Sequence, residues 1–255
     1  MAGADGADTI SGDDGSDNLF GGPGADAISG GDGNDHLYGQ GPNGGSDGAD
    51  MLNGGTGSDY LQGNAGDDTL DGGDGSDRIN GGQGNDSIVG GFGNDSVNGN
   101  LGNDTIDGGA DNDSLRGGQG NDFIIGGAGS DILSGDLGSD TLTSGSGSDI
   151  FQFSSQGSLI AAPDRITDFT DAGDRISVGY AVSAVLTGAA QASASAAATL
   201  AQQLFDGNLG NREVAAIGVG VDTYLFFSSN GGSAADSAII VNGVSASAFS
   251  LADFV

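Results

Sequence analysis

Aliphatic side chains recur every nine residues through the first three-fifths of this chain. They are Ile10, Leu19, Ile28, Leu37, Leu52, Leu61, Leu70, Ile79, Ile88, Val97, Ile106, Leu115, Ile124, Leu133 and Leu142, with Phe151 at the sixteenth position. Only the step from Leu37 to Leu52 departs, at fifteen residues. An Asp stands two residues before each, and the unit reads Gly-Gly-X-Gly-X-Asp-X-U-X, with U the apolar position. Gly-Gly-X-Gly-X-Asp reads as a tight turn whose glycines permit positive φ and turn carbonyls toward one point. X-U-X reads as a short strand with U inward. Two units then make one coil, and eight coils at about 4.8 Å each predict a rod roughly 35–40 Å long. The fold class expected is all-β, a parallel β-roll with strands stacked coil above coil.

Stacking sets the aspartates in two columns. Odd units align Asp8, Asp26, Asp50, Asp68, Asp86, Asp104, Asp122 and Asp140; even units align Asp17, Asp35, Asp59, Asp77, Asp95, Asp113, Asp131 and Asp149. Two unscreened columns of carboxylates at coil spacing repel one another, so a divalent cation between successive loops is required. The six extra residues within 39–53 leave the register intact on either side and read as a surface bulge. Asp111 stands where every other unit has Gly at its fourth position, so the loop ending at Asp113 is the expected weak site. Sites beside the bulge and beside Asp111 are expected to be weaker.

The period stops after Gln152. Ile150 to Phe153 alternates as a strand, and Ile166, Phe169 and Ile176 are core candidates beyond it. Residues 189–205 lack Gly and Pro and are half Ala, which predicts a helix ended by Asp206 and Gly207. Residues 214–219, 223–227 and 237–241 predict strands, with Asn230, Gly231 and Gly232 as a turn. The domain division expected is 3–152 for the roll and 153–255 for a mostly-β cap with one helix.

Charge sharpens this reading. The 255 residues carry 36 acids against five Arg and no Lys, a formal charge of −31, and 27 Asp against two Arg fall in the repeats. That excess disfavours nucleic acid and anionic lipid. Short carboxylates on a Gly-rich backbone suit turns and hard-cation coordination. There is no Cys to make a disulfide or a thiolate site. The first residues lack the basic and apolar segments of a Sec-type signal, and no apolar run approaches a membrane span.

These units resemble the RTX (repeats-in-toxin) family, and Asp164-Arg-Ile-Thr-Asp-Phe, Asp174-Arg-Ile, Asp222-Thr-Tyr-Leu-Phe-Phe and Leu251-Ala-Asp-Phe-Val resemble the C-terminal region of its serralysin-type members. The resemblance implies a right-handed β-roll and a ligand set for Ca²⁺. One site would take Gly82, Gly84 and Asp86 from one loop with Gly99, Leu101 and Asp104 from the next. Its neighbour on the other edge would take Gly91, Gly93, Asp95, Gly108, Ala110 and Asp113. Glycines and Leu101 or Ala110 would act through carbonyls, and six oxygens suit Ca²⁺ better than Mg²⁺. All sixteen repeat aspartates are thereby expected metal ligands, for about 14 ions at most between loops. Resemblance also implies an uncleaved C-terminal signal around Asp253, Phe254 and Val255, read by a type I ABC secretion machine of a Gram-negative or cyanobacterial kind. The acidic Asn-Gly-Asp-Gly loop common in such tails is replaced here by residues 230–236, so a separate calcium site there is not expected.

Other chemistry is not supported. Gly44, Ser46 and Gly48 match a nucleophile elbow, but no strand-turn-helix surrounds them and His36 is the only His. Gly39, Gly41 and Gly44 match a phosphate-loop spacing that Pro42 contradicts. His36 is expected to be a solvated strand residue, and Arg165 and Arg175 to form local ion pairs. The expected function is non-enzymatic: a secreted, extracellular or cell-surface calcium module that folds on Ca²⁺, either as the export and folding tail of a larger protein or as a small structural protein. Two alternatives stand beside it, a calcium-dependent surface-layer or matrix protein, and the non-catalytic part of a secreted protease, lipase or alginate epimerase. Self-assembly and a cell-surface polysaccharide are the partner classes left open.

Overall fold

A computed structural model of the chain describes residues 1–40, 47–153, 162–170, 173–179, 182–207, 213–228 and 237–255. Two sheets run its length. The first takes strands from odd units, Thr9–Asp14, Ala27–Asp32, Met51–Thr56, Thr69–Asp74, Ser87–Phe92, Thr105–Ala110, Phe123–Ala128 and Thr141–Ser146. The second takes those of even units, from Asn18–Phe20 and His36–Tyr38 through Tyr60–Ala65, Arg78–Gln83, Ser96–Leu101, Ser114–Gln119 and Ile132–Leu137 to Ile150–Gln152. Each strand pairs in parallel with the equivalent strand of the next coil: Val97 lies opposite Ile79 on one side and Leu115 on the other. The sixteen apolar residues at U are all buried between the sheets. The result is a parallel β-solenoid of about eight turns.

Strands prove longer than the three residues expected. Most span six, X-U-X-Gly-Gly-X, because pairing resumes beyond a bend at the first Gly: Asn98 pairs with Arg116, and Asn100 with Gly118. The bend needs a left-handed residue after it, so φ is +128° at Gly82 and +116° at Gly118. Asp13, Asn64, Asn100 and Asp136 supply that conformation without Gly, at φ of 66–81°, as short polar side chains can. Asp111 sits at φ +74° in the same manner.

Both sheets continue past Gln152. Asp164–Ile166 adds to the first sheet and Arg175–Ser177 to the second. Ser237–Val241 then pairs in parallel with 164–166, and Asp222–Phe227 and Glu213–Val219 follow as an antiparallel meander. A strand that the composition hid, Ala184–Thr187, closes the first sheet in parallel with Glu213–Val219. The helix is shorter than expected at its start, Ala194–Gly207. Gln191 N–H bonds Gly218 O at 2.8 Å, which keeps 189–192 against the sheet, and Ser193 Oγ accepts the Ala196 N–H at 3.2 Å as the N-cap. Ala197, Ala201 and Phe205 bury against Ala215, Ile217, Phe226 and Ala238. The turn expected at Asn230 to Gly232 lies outside the described residues, as do Gly44 and Ser46.

Candidate metal columns

From Asp26 onward, each repeat Asp reaches the coil before it. Asp86 Oδ1 accepts the Asp68 N–H at 2.9 Å, Asp104 Oδ1 the Asp86 N–H at 2.8 Å, and Asp122 Oδ1 the Asp104 N–H at 2.8 Å. On the other edge Asp95, Asp113 and Asp131 accept from Asp77, Asp95 and Asp113 at 2.8, 2.8 and 2.9 Å. Both columns cross the insertion unbroken, since Asp50 accepts from Asp26 at 2.8 Å and Asp59 from Asp35 at 2.7 Å. Asp113 keeps its place above Asp95 despite the residue at position 111.

The second carboxylate oxygen is the informative one. In fourteen of the sixteen repeat aspartates, from Asp26 to Asp149, Oδ2 is buried and has no hydrogen-bond partner. The exceptions are at the N-terminal coil, where Asp8 Oδ2 accepts the Ala4 N–H at 2.8 Å and Asp17 is half-buried. A buried anionic oxygen left unpaired is costly. Burial first, and then the neighbouring carboxylates, push Asp50, Asp86, Asp113 and Asp122 up from 3.8 to about 7. Asp59, Asp68, Asp77 and Asp95 rise to about 6, and burial raises Asp104, Asp131 and Asp140 as well. The N–H from the preceding coil opposes this in each case without overcoming it.

Carbonyls converge on the same gaps. A Cβ placed on Gly81 would lie 2.2 Å from Asp86 Oδ2 and 2.8 Å from Gly99 O; one on Gly90 would lie 2.6 Å from Asp95 Oδ2 and 2.5 Å from Gly108 O. The first Gly of the unit is therefore required by a close approach of oxygens. A Cβ on Gly102 would fall 1.7 Å from Gly84 O, and one on Gly109 2.2 Å from Gly91 O. Carbonyls of the lower loop thus rise at the second and fourth positions, while those of the upper loop descend at the first and third. Leu101 O accepts the Gly84 N–H at 2.9 Å and Ala110 O the Gly93 N–H at 3.2 Å, each keeping a second lone pair. Gly82 stands in register opposite Asn100. Among the described residues no three carboxylate or imidazole groups converge; each gap offers two carboxylates, and its other oxygens are backbone. This donor set, all oxygen with four carbonyls to two carboxylates, fits Ca²⁺.

Three features escaped sequence reasoning. The residue before the Asp builds an outer ladder along the roll: Asn85 Oδ1 accepts the Asn103 N–H, Asn103 the Asn121 N–H and Asn121 the Ser139 N–H, at 2.8–2.9 Å. Its signal was the Asn, Ser or Asp at that position in 13 of 16 units. The columns also extend beyond the repeats, where Asp164 Oδ1 accepts from Asp140 at 3.0 Å and Asp174 Oδ1 from Asp149 at 3.2 Å. Two Asp-Arg-Ile triplets carried that signal. Finally, Asp168 accepts the N–H groups of Ser144 and Gly145 at 2.9 and 2.7 Å, satisfying donors that another coil would otherwise take.

The arginine expectation needs correction. Arg165 pairs with Asp222 Oδ2 at 3.3 Å and with the Asn242 carboxamide, both distant in sequence, because Ser237–Val241 and Asp222–Phe227 lie beside it in the sheet. Arg175 donates to the Asp174 carbonyl at 2.7 Å. His36 is exposed on the second sheet beside Tyr38 and Tyr60.

No curated protein matches the chain. A solved structure similar to part of it is the solution structure of the AlgE6R3 subunit from the Azotobacter vinelandii mannuronan C5-epimerase, 26% identical, covering 60% of this chain and 77% of that one with a TM-score of 0.40. The family model described as the RTX calcium-binding nonapeptide repeat matches residues 2–41, 44–79, 71–106, 80–115 and 116–151. With well over half its length in those matches and its carboxylates stacked coil upon coil, this chain belongs to the RTX calcium-binding nonapeptide repeat family.

Proposed function

We propose that Ca²⁺ occupies the gaps between successive loops and that its uptake folds the roll outside the cell. The observation that carries this is the pair of columns of buried Oδ2 atoms without partners. Bound calcium supplies the positive charge these oxygens need. Asp86, Asp104, Gly82, Gly84, Gly99 and Leu101 would hold one ion, and Asp95, Asp113, Gly91, Gly93, Gly108 and Ala110 its neighbour. The same pattern repeated gives at most about 14 ions between loops, because each interior Asp serves the gap above and the gap below. Before calcium binds, like charges at coil spacing keep residues 3–152 open.

Such a chain suits type I export as an unfolded polymer followed by folding in a calcium-rich medium. The C-terminal residues, read here as the export signal, dock once folded: Asp253 Oδ2 accepts the Ser250 N–H at 2.7 Å, and Val255 N–H bonds Ile176 O at 3.0 Å. Residues 153–255 then serve as cap, with Phe169 packed between Phe151 and Phe249. The reading is a secreted, non-catalytic calcium module, acting as folding tail or as a small extracellular structural protein. Among the described residues no helix is long and apolar enough to cross a membrane.

The test is a Ca²⁺ titration followed by far-UV circular dichroism with ion counting by native mass spectrometry. A coil spectrum in EGTA and a cooperative gain of β signal with more than ten ions are expected. A fully folded roll in EGTA at low salt, or uptake of only one or two ions, overturns it.

A further inference from the structure

On one face of the roll, the residues that flank the buried apolar positions include no acid. Outward side chains on the second sheet come from the residues flanking U in each even unit, running from Asn18 and Phe20 to Ile150 and Gln152. None of these sixteen positions is Asp, although the repeats hold 27. The first sheet has Asp71 and Asp107 at equivalent positions. The second sheet's flanking positions instead carry both arginines of the repeats, the one His and a cluster of aromatic rings. Phe20 and Tyr38 stack at 4.9 Å, Tyr38 and Tyr60 lie 5.7 Å apart, and the Arg78 guanidinium sits 6.0 Å from the Tyr60 ring centre.

Beyond that cluster the face is hollowed. A cavity of about 560 Å³ beside Tyr60, Gln62 and Asn80 meets one of about 480 Å³ beside Asn98 and Arg116, the two sharing Asn100 and Leu101. Together they form a trough along the roll axis from Tyr60 to Leu137, across five coils or about 20 Å. Carboxamides line it at coil spacing: Gln62, Asn80 and Asn98 occupy the same position in three successive coils and face each other in register. Each offers donors and an acceptor.

We infer that this trough binds a neutral polysaccharide laid along the roll axis. A ligand that satisfies one rung must satisfy the next by translation of about 4.8 Å, roughly the length of a sugar ring, which selects a polymer over a single small molecule. Carboxamides and the Tyr60 hydroxyl, itself bonded to Gln62 Oε1 at 2.8 Å and reached by Asn80 Nδ2 at 3.4 Å, match groups that both donate and accept, as sugar hydroxyls do. Charge argues for neutrality: Arg116 is neutralised by Asp136 at 2.7 Å, and Arg78 rests on an aromatic ring. A polyanion would find no cationic excess. An added peptide strand would find no open edge, since every strand on the trough floor is paired on both sides. The inference rests on the calcium-loaded roll proposed above and gives the polysaccharide partner a face.

The experiment is affinity gel electrophoresis of the full chain in excess Ca²⁺ through gels containing soluble β-glucan, mannan, xylan or a polyuronate. Far-UV spectra of the same samples establish whether the roll is folded, so failure to fold counts against the calcium reading alone. At least one neutral polymer is expected to retard the protein, and the triple substitution Gln62→Ala, Asn80→Ala, Asn98→Ala to weaken retention at least tenfold without changing the calcium midpoint. Thr69→Ala with Thr105→Ala, on the opposite sheet, should bind as the parent does. A folded roll that no neutral polymer retards, retention by the polyuronate alone, or equal retention of the triple variant overturns the inference.

Discussion

Asp86→Asn is expected to move the calcium-free and calcium-loaded protein in opposite directions. Asp86 is 2% exposed, its Oδ1 accepts the Asp68 N–H at 2.9 Å, and its Oδ2 has no partner. Its carboxyl is pushed from 3.8 to about 7 by burial and by Asp104, Asp68 and Asp67. Keeping it ionised above neutral pH in the metal-free roll therefore costs on the order of 4 kcal/mol, and less where the loop relaxes. Asparagine is nearly isosteric. Its oxygen keeps the Asp68 bond, and its amide replaces Oδ2 in the cradle shared with Gly99 O, where it can donate. The apo roll gains stability by roughly that cost. In calcium the same change removes one of two carboxylates from the gap toward Asp104 and from the gap toward Asp68. The ion count should fall by up to two and the calcium midpoint for folding should rise severalfold, while β signal in EGTA increases. Native mass spectrometry and circular dichroism at pH above 7 read both halves. An unchanged count and midpoint would refute the ligand role, and the absence of any gain of β signal in EGTA would refute the electrostatic account.

Further expectations follow from the same geometry. Because the folded carboxyls titrate near 6–7 against 3.8 in the open chain, the metal-free roll gains stability below about pH 4 that is lost as pH rises through 7; β signal in EGTA should grow on acidification, whereas calcium uptake should weaken, and a flat profile in EGTA contradicts this. Gly102→Ala forces a Cβ to 1.7 Å from Gly84 O at φ +136°, so at least about 2 kcal/mol is lost, seen as a lower melting temperature in Ca²⁺. Asp168→Ala leaves the Ser144 and Gly145 N–H groups without their acceptor, costing about 1–3 kcal/mol and visible as faster amide exchange in the last coil. Truncation after Gln152 removes strands 164–166 and 175–177 from the two sheets; the remaining repeats should need more calcium to fold, and an unchanged midpoint would show the cap to be dispensable.

What the sequence determined by itself is the roll. A nine-residue period with one apolar residue and one Asp per unit admits only one way to bury Leu61, Ile79 and Val97 together, and that stacking aligns Asp59, Asp77 and Asp95 without further information. Strand length was misjudged because the ladder bends at Gly and resumes, which periodicity cannot reveal. The carboxylate columns pass the bulge before Asp50 and the Asp at 111, held by the N–H of the coil below. Tertiary structure alone decided the rest. Which carboxylate oxygen is satisfied and which is orphaned depends on the coil beneath. Arg165 meets Asp222 because two strands far along the chain fold back beside it. Ala184–Thr187 is a strand only because Glu213–Val219 offers it an edge, and the trough takes its shape from how the side chains of Gln62, Asn80 and Asn98 pack in register beside Asn100 and Leu101.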